Sequence, residues 1–346
     1  MGANEYSKYN NEKNMSIEIK FNKVCYFPEE TISGTITLFP FLQSFEKLTN
    51  KPQLNITILQ KQHYNYSSGG KNKRHAEQDE DLNLVNTTIN FKDKISTDYS
   101  SGFSIPFSIQ LPKNAYPSIV GIGAFVKHFF IVELPHIDVK RTKLFIVKHH
   151  FQNNNENNIL FQNLEQIHEY KKSNLLAKKG SCSLKIKMPK NYFYYNEKIL
   201  FDIFIDRSKF EMEIKSVGII LVMKQKLNSK EDRSNCRSCW SIDIGKKFIN
   251  LEKGLSNYNI SDFIEFPDTP KSNPDKIYKS LEEHGILEVN ESKFKYYLYP
   301  SSYSGLVSIE YGIRVELNFD CRFTFDEEFF IPLYFSANPK PEITSQ

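Results

Sequence analysis

Tyr26-Phe27-Pro28-Glu29-Glu30, followed by Ile32, Gly34, Ile36 and Leu38 at every second position, is the stretch that decides the fold. It returns as Phe193-Tyr194-Tyr195-Asn196-Glu197, followed by Ile199, Phe201, Ile203 and Ile205. In each copy an aromatic, a three-residue turn and a Glu introduce a run of strict alternation. Such alternation marks a strand with one face in a core and the other in water. The same strand entry therefore occurs twice in one chain.

Outward from these runs the period of two persists. Ile17, Ile19 and Phe21 alternate with polar neighbours, as do Leu54, Ile56 and Ile58, with Gln60 continuing the series. The first half then reads Phe107-Ser108-Ile109-Gln110-Leu111-Pro112 and a long run from Ala124 to Leu134. The second reads Tyr296-Tyr297-Leu298-Tyr299-Pro300 and a long run from Val307 to Leu317. Both long runs close in Val-Glu-Leu, and both halves end in one more strand, Lys143 to Val147 and Phe329 to Phe335. Two copies of one sandwich explain this doubling most economically. Helix signals are few. Asn273-Pro274-Asp275 through Gly285 predicts one, with an N-cap, Pro at the first helical position and a closing Gly. Ile277, Tyr278 and Leu281 would form its buried stripe.

The chain has 346 residues, too many for one ordinary domain and ample for two. Hydrophobic residues make up 40% and charged residues 25%, a globular balance. The net charge of +4 is mild, and no basic stripe calls for nucleic acid. Cys25, Cys182, Cys236, Cys239 and Cys321 are an odd, scattered set that does not read as a disulfide framework. The N-terminus is polar, no apolar run reaches membrane-spanning length, and a reducing cytoplasmic setting is the expectation. Asn55-Ile56-Thr57 and Asn86-Thr87-Thr88 fit the glycosylation pattern and are read as chance there. Met1-Gly2 opens like an acylation signal, but Tyr6 stands where Ser or Thr is wanted.

Breaks in the pattern suggest the boundaries. Residues 67 to 82 are polar and charged and read as a long loop between strands. Residues 152 to 158 are nearly all Asn, Gln and Glu, and 159 to 180 show no clean strand pattern. Residues 228 to 275 read as irregular. The expected layout is a disordered 1–14, a sandwich over 15–150, a linker over 151–179, a second sandwich over 180–337, and a tail over 338–346. The fold class is all-β: two tandem antiparallel β-sandwiches with few short helices.

In these features the chain resembles the arrestin-fold superfamily, in particular its arrestin-domain-containing branch. Tyr26, Pro28 and Glu30 match that family's Tyr-x-Pro-Gly-Glu turn, and Ile32, Gly34 and Ile36 match the following Val-x-Gly-x-Val. Pro106 to Pro112 with Pro117-Ser118 match its Pro-Phe-x-Phe-x-Leu-Pro and Pro-Ser. Glu29 replaces the turn Gly, and because Glu resists positive φ a different turn type is expected. Asn196 replaces it in the second copy, where Asn tolerates that conformation. The resemblance spans about 15–150 and 180–337. It implies an adaptor or scaffold that binds cargo, such as membrane-protein tails, in protein transport and endocytosis. The alternative it implies is an arrestin-like subunit of a retromer-type coat. The Pro-Pro-x-Tyr motif of ligase-recruiting members is absent.

No chemistry is expected. No HExxH, GxSxG, P-loop or GxGxxG occurs, and no nucleophile, base and orienting partner assemble from sequence. Catalytic, cofactor and metal residues are therefore all read as none. Cys236-Arg237-Ser238-Cys239 lacks the second pair that zinc wants, and zinc held jointly by two chains is the sharper alternative. His149-His150 lacks metal spacing, and Glu77, Asp79, Glu80 and Asp81 read as a solvated charge run. Lys127, Lys140 and Arg141, on or beside late strands of the first half, are the candidate partner-binding residues. The bland reading is that they are the polar alternates of wet strands. Lys171-Lys172 and Lys178-Lys179 are candidates for contact with acidic lipid at a cytoplasmic, endosomal or plasma membrane surface. An all-β enzyme and an extracellular adhesion pair are the remaining rivals, the second disfavoured by the missing signal peptide.

Overall fold

The alternating runs fold as the period of two requires. The computed structural model describes residues 15–23, 25–67, 75–95, 102–120, 124–148, 164–174, 177–194, 197–210, 213–227, 238–266, 301–303, 305–319 and 329–336. The chain forms two compact units, one mainly from residues 1–150 and one mainly from residues 151–346.

The first unit holds β1 (Met15–Phe21), β2 (Cys25–Tyr26), β3 (Thr31–Pro40), α1 (Leu42–Asn50), β4 (Gln53–Ser67), β5 (His75–Asn90), a 3-10 turn at Lys92–Lys94, β6 (Phe103–Gln110), β7 (Ile119–Val120), β8 (Ala124–Leu134) and β9 (Val139–Val147). The second holds β10 (Leu164–Asn174), β11 (Ala177–Met188), β12 (Tyr192–Tyr194), β13 (Lys198–Lys209), β14 (Ile214–Leu227), β15 (Ser238–Asn250), β16 (Asn257–Glu265), β17 (Ser302–Tyr303), β18 (Val307–Phe319) and β19 (Phe329–Ser336).

The sheet orders repeat strand for strand. One sheet of the first unit runs β1-β3-β6 and the other β2-β9-β8-β4-β5, with β7 on β8. The second unit has β11-β13-β16, extended by β10 beside β11, and β12-β19-β18-β14-β15, with β17 on β18. Each strand of the first unit thus has a counterpart numbered ten higher. The pairing is antiparallel except at β2–β9 and β12–β19, which are parallel in both copies. Both long hairpins carry a register shift, at Ile58/Leu59 and at Leu221/Val222. The doubling read in the sequence is therefore a doubling of topology.

In the first unit the inward residues of both sheets meet in one core. Ile17, Ile19, Ile36 and Leu38 face Leu54, Ile56, Ile58, Phe130 and Val132. Phe130 is fully buried, with ring centroids 4.7 Å from Phe107 and 5.4 Å from Phe21. In the second unit Tyr311, Phe335 and Phe266 pack together at 4.7–6.0 Å, and Ile199, Phe201, Ile203 and Ile205 are buried from the other sheet. Gly34 permits a close approach: a Cβ there would sit 2.1 Å from the carbonyl oxygen of Lys20 on β1.

The two turns that open the repeats are built alike. Glu30 accepts a hydrogen bond from the Phe27 N–H at 2.8 Å, and Glu197 accepts one from the Tyr194 N–H at 3.1 Å. Each carboxylate also binds a lysine seven residues earlier, Lys23 and Lys190. Each lysine stands 5.1 Å from the centroid of a fully buried ring, Tyr26 and Phe193. Burial alone would raise the Glu30 pKa, but the hydrogen bonds from Lys23 and the Phe27 N–H outweigh it and lower it. Glu30→Gln is therefore expected to cost about 1 kcal/mol, because the ion pair is partly exposed. The loss should vanish as pH falls through the folded carboxylate pKa, since the stabilisation exists only above it. Urea midpoints followed downward from pH 7 check this, and a loss that never shrinks on acidification would refute it.

Several expectations change. Glu29 does adopt positive φ, at 67°. Its N–H donates to the Leu111 carbonyl at 2.9 Å, and its own carbonyl accepts from Gln110 Nε2 at 3.2 Å, so neighbouring bonds hold the unfavourable backbone. Of residues 67 to 82, Ser67 ends β4 and 75–82 belong to β5, and the two strands pair. The expected linker contains β10 and the start of β11, which pair with each other. The irregular 228–275 stretch contains β15 and β16, and β16 occupies the place of β6. Tyr296–Pro300, which the sequence comparison set opposite Phe107–Pro112, lies outside the described residues, as does the helix expected from 273 to 285. Helix α1 carried no recognised signal: Phe41 supplies no side-chain cap.

Candidate functional site

The three basic candidates do not converge. On β8 the even residues point into the core and the odd ones out, so Lys127 lies on the outer face of the six-stranded sheet. Its ammonium stands 4.2 Å from the centroid of Phe125. Lys140 is opposite Glu133, and so on the same face but about 20 Å further along the strand. Arg141 is opposite Val132, an inward position, and belongs to the other side of the sheet. The structure brings Lys127 instead beside Lys61, its cross-strand partner on β4.

Beneath Lys127 lies a buried polar network that the alternation concealed. His128 is wholly buried and its Nε2 is 3.2 Å from Gln60 Oε1. Its Nδ1 is 3.0 Å from Ser118 Oγ, which accepts from the Val147 N–H at 3.0 Å. Gln60 Oε1 also accepts from the Tyr116 N–H at 2.8 Å. Because Gln60 offers only an acceptor there, His128 donates through Nε2 and accepts at Nδ1, as a neutral ring. Burial pushes its pKa down to about 3. Ser118 and His128 have the spacing of a nucleophile and its base, but such a ring is a poor base near neutral pH, and its second partner is an amide rather than a carboxylate. The network ties the Tyr116–Ser118 segment before β7 to β4, β8 and β9.

A different face is open to solvent. On the outer side of β10-β11-β13-β16 a shallow depression of about 690 Å³ includes Leu200, Asp202 and Phe263. Pairing sets the residues in rungs. Glu165, Lys187, Asp202 and Ser261 form one, and Ile167, Lys185, Phe204 and Asn259 the next, with Leu200 beside Phe263 on the far side of the first. Ile167 is 61% exposed, Leu200 51% and Phe204 37%. Polar contacts order the rest. Lys185 and Lys187 both bind Glu165. Ser261 donates to Asp202 at 2.6 Å, while at the sheet edge Lys247 binds Asp262 at 2.6 Å from the inner side, opposite Phe201. Hydrogen bonds from Lys185 and from Lys247 hold the Glu165 and Asp262 carboxyls below their usual range. Lys198 and Lys247 also lie 4.2 Å and 4.8 Å from the Phe263 centroid. The face offers apolar anchors between charges of both signs, a chemistry suited to docking a peptide or protein.

Sequence reasoning missed this face because the β10 strand was read as linker. The exposed alternates Leu200 and Phe204 of β13 were the available signal. Cys25 and Cys182 are buried, and burial pushes the Cys182 thiol up to about 11. Cys236, the side chain of Cys239, His149-His150, Gly2 and the lysine side chains at 171, 172, 178 and 179 lie outside the described residues. No described helix is long and apolar enough to cross a membrane. No known family model matches the chain, and no curated protein matches it.

Proposed function

We propose that the chain is a non-enzymatic adaptor that docks other proteins, cytosolic tails of membrane proteins in intracellular trafficking above all. The observation that carries the reading is the apolar group Ile167, Leu200 and Phe204, exposed on an ordered sheet face between paired charges. Strands β10, β11, β13 and β16 present it as one continuous sheet face. The resemblance to arrestin-domain-containing proteins, which implies cargo binding by paired sandwiches, supports the same reading. Fold alone does not fix function, so the proposal rests on the face. The proposed setting is cytoplasmic, peripheral to an endosomal or plasma membrane, with no cofactor.

Affinity purification of the full chain from its native cell, beside an L200D/F204D double variant, tests this. Transmembrane cargo should accompany the parent chain and fall roughly tenfold or more with the variant, the loss expected when anchor side chains go. Both positions face water, so the variant should keep its melting temperature. Recovery of a fixed, stoichiometric soluble complex in place of membrane cargo would establish the coat-subunit alternative. Cargo retained by the double variant would remove this face from the mechanism.

A further inference from the structure

We propose that His63, Glu77 and Asp79 form a binding site for a divalent transition cation of the zinc type on the β4–β5 hairpin. Their ligand atoms all lie within 4.8 Å of one another. His63 Nδ1 is 2.8 Å from Asp79 Oδ1. Donors around a tetrahedral zinc, with bonds near 2.0–2.1 Å, stand about 3.4 Å apart. One observed separation is shorter than that and none exceeds it by more than about 1.4 Å, so the three donors need only small adjustments to share one ion.

The strand register builds this cluster. Up to Ile58 the hairpin pairs Ile58 with Val85; from Leu59 it pairs Leu59 with Asn83. The intervening Leu84 is the extra residue of a bulge. Beyond it His63 stands opposite Asp79, with Glu77 diagonal to it on the same face. Without the bulge His63 would meet Glu80, with Gln78 and Leu82 as diagonals. A single inserted residue thus keeps an acid opposite His63 and replaces the diagonal Gln78 by Glu77, the third ligand.

The histidine is also positioned. Its ring stacks on Phe125 of β8 at 5.0 Å between centroids and 25° between planes. Phe125 is its cross-strand partner on the other side. A ring held in plane loses less freedom on binding a metal. The donor set selects the ion: one imidazole suits zinc and its transition-metal neighbours, whereas calcium and magnesium prefer oxygen alone. Two carboxylates and a neutral imidazole balance a doubly charged cation. His63 is 21% exposed and Asp79 52%, so the ion enters from water and keeps water on its open side. The bound ion would pin the outer half of an edge hairpin, where β5 has one strand neighbour. This site is separate from the docking face and does not depend on it.

Calorimetric titration of zinc into the chelator-treated full chain tests the assignment, in a C236S/C239S background that removes the other candidate thiolate ligands. One zinc per chain is expected. H63Q, E77Q and D79N should each weaken it at least tenfold. Zinc should slow amide exchange at residues 76–82 in the parent but not in H63Q. The melting temperature of H63Q without zinc confirms that the variant folds. Zinc that binds H63Q and D79N as tightly as the parent, or no zinc bound at all, would overturn the proposal.

Discussion

Phe130→Ala is expected to lower the stability of the first sandwich by about 3–5 kcal/mol, the range for truncating a buried ring. Phe130 has no exposed surface and sits between Phe107 and Phe21, one from each outer strand of the facing sheet. Removing it leaves a cavity between two sheets that are each fixed by hydrogen bonds, so little collapse can relieve it. Urea unfolding followed by tryptophan-independent circular dichroism should show the earlier midpoint. The second sandwich has its own core around Tyr311 and Phe335, and its transition should not move. A loss under about 1 kcal/mol would mean that the ring does not occupy the core.

Acid should weaken the same sandwich through His128. The folded pKa of about 3 lies far below the ordinary value near 6.5 that the unfolded chain recovers. Protons therefore bind the unfolded state preferentially. The stabilisation is whole above about pH 6.5 and is lost as pH falls toward 3, at about 1.4 kcal/mol per unit. By pH 4.5 the expected loss is on the order of 3 kcal/mol from this residue alone. Carboxylates such as Glu30 titrate too, so the measurement compares the parent with His128→Gln at pH 7 and pH 4.5. The variant will be less stable at pH 7, because Ser118 loses a partner and the site is reshaped. Its stability should then fall less on acidification. Parallel curves would show that the ring already carries its proton in the fold.

Strands with one buried face and one wet face were legible, at the edge of a sheet as in its centre. Ile17-Ile19-Phe21 and Ile199 to Ile205 show the pattern in letters and in burial. The strands missed are edges: β5 carries Glu77, Asp79, Glu80 and Asp81, and β10 and β15 are terminal in their sheets. An edge strand needs little apolar alternation, and charge there guards against unwanted pairing. The chemistry was hidden for a related reason. His63 and the acidic run are remote in sequence, and the bulge that aligns them leaves no signature. The lysines of the two turns went unread because aromatic, turn and Glu already sufficed to mark the repeat. Lys127, Lys140 and Arg141 were visible as charges, but only register tells which side of the sheet each one takes.

The parallel pairs β2–β9 and β12–β19 set the order of events during synthesis. Cys25 pairs with Ile146, and Tyr192 with Tyr334, so β2 and β12 each wait for the last strand of their domain. A nascent chain on the ribosome can form the β3–β6 and β4–β5–β8 ladders early, yet it holds β2 without a strand neighbour until residue 147 has cleared the exit tunnel. Arrest of translation before that point should leave a protease-sensitive intermediate, and release past it should close the domain in one step.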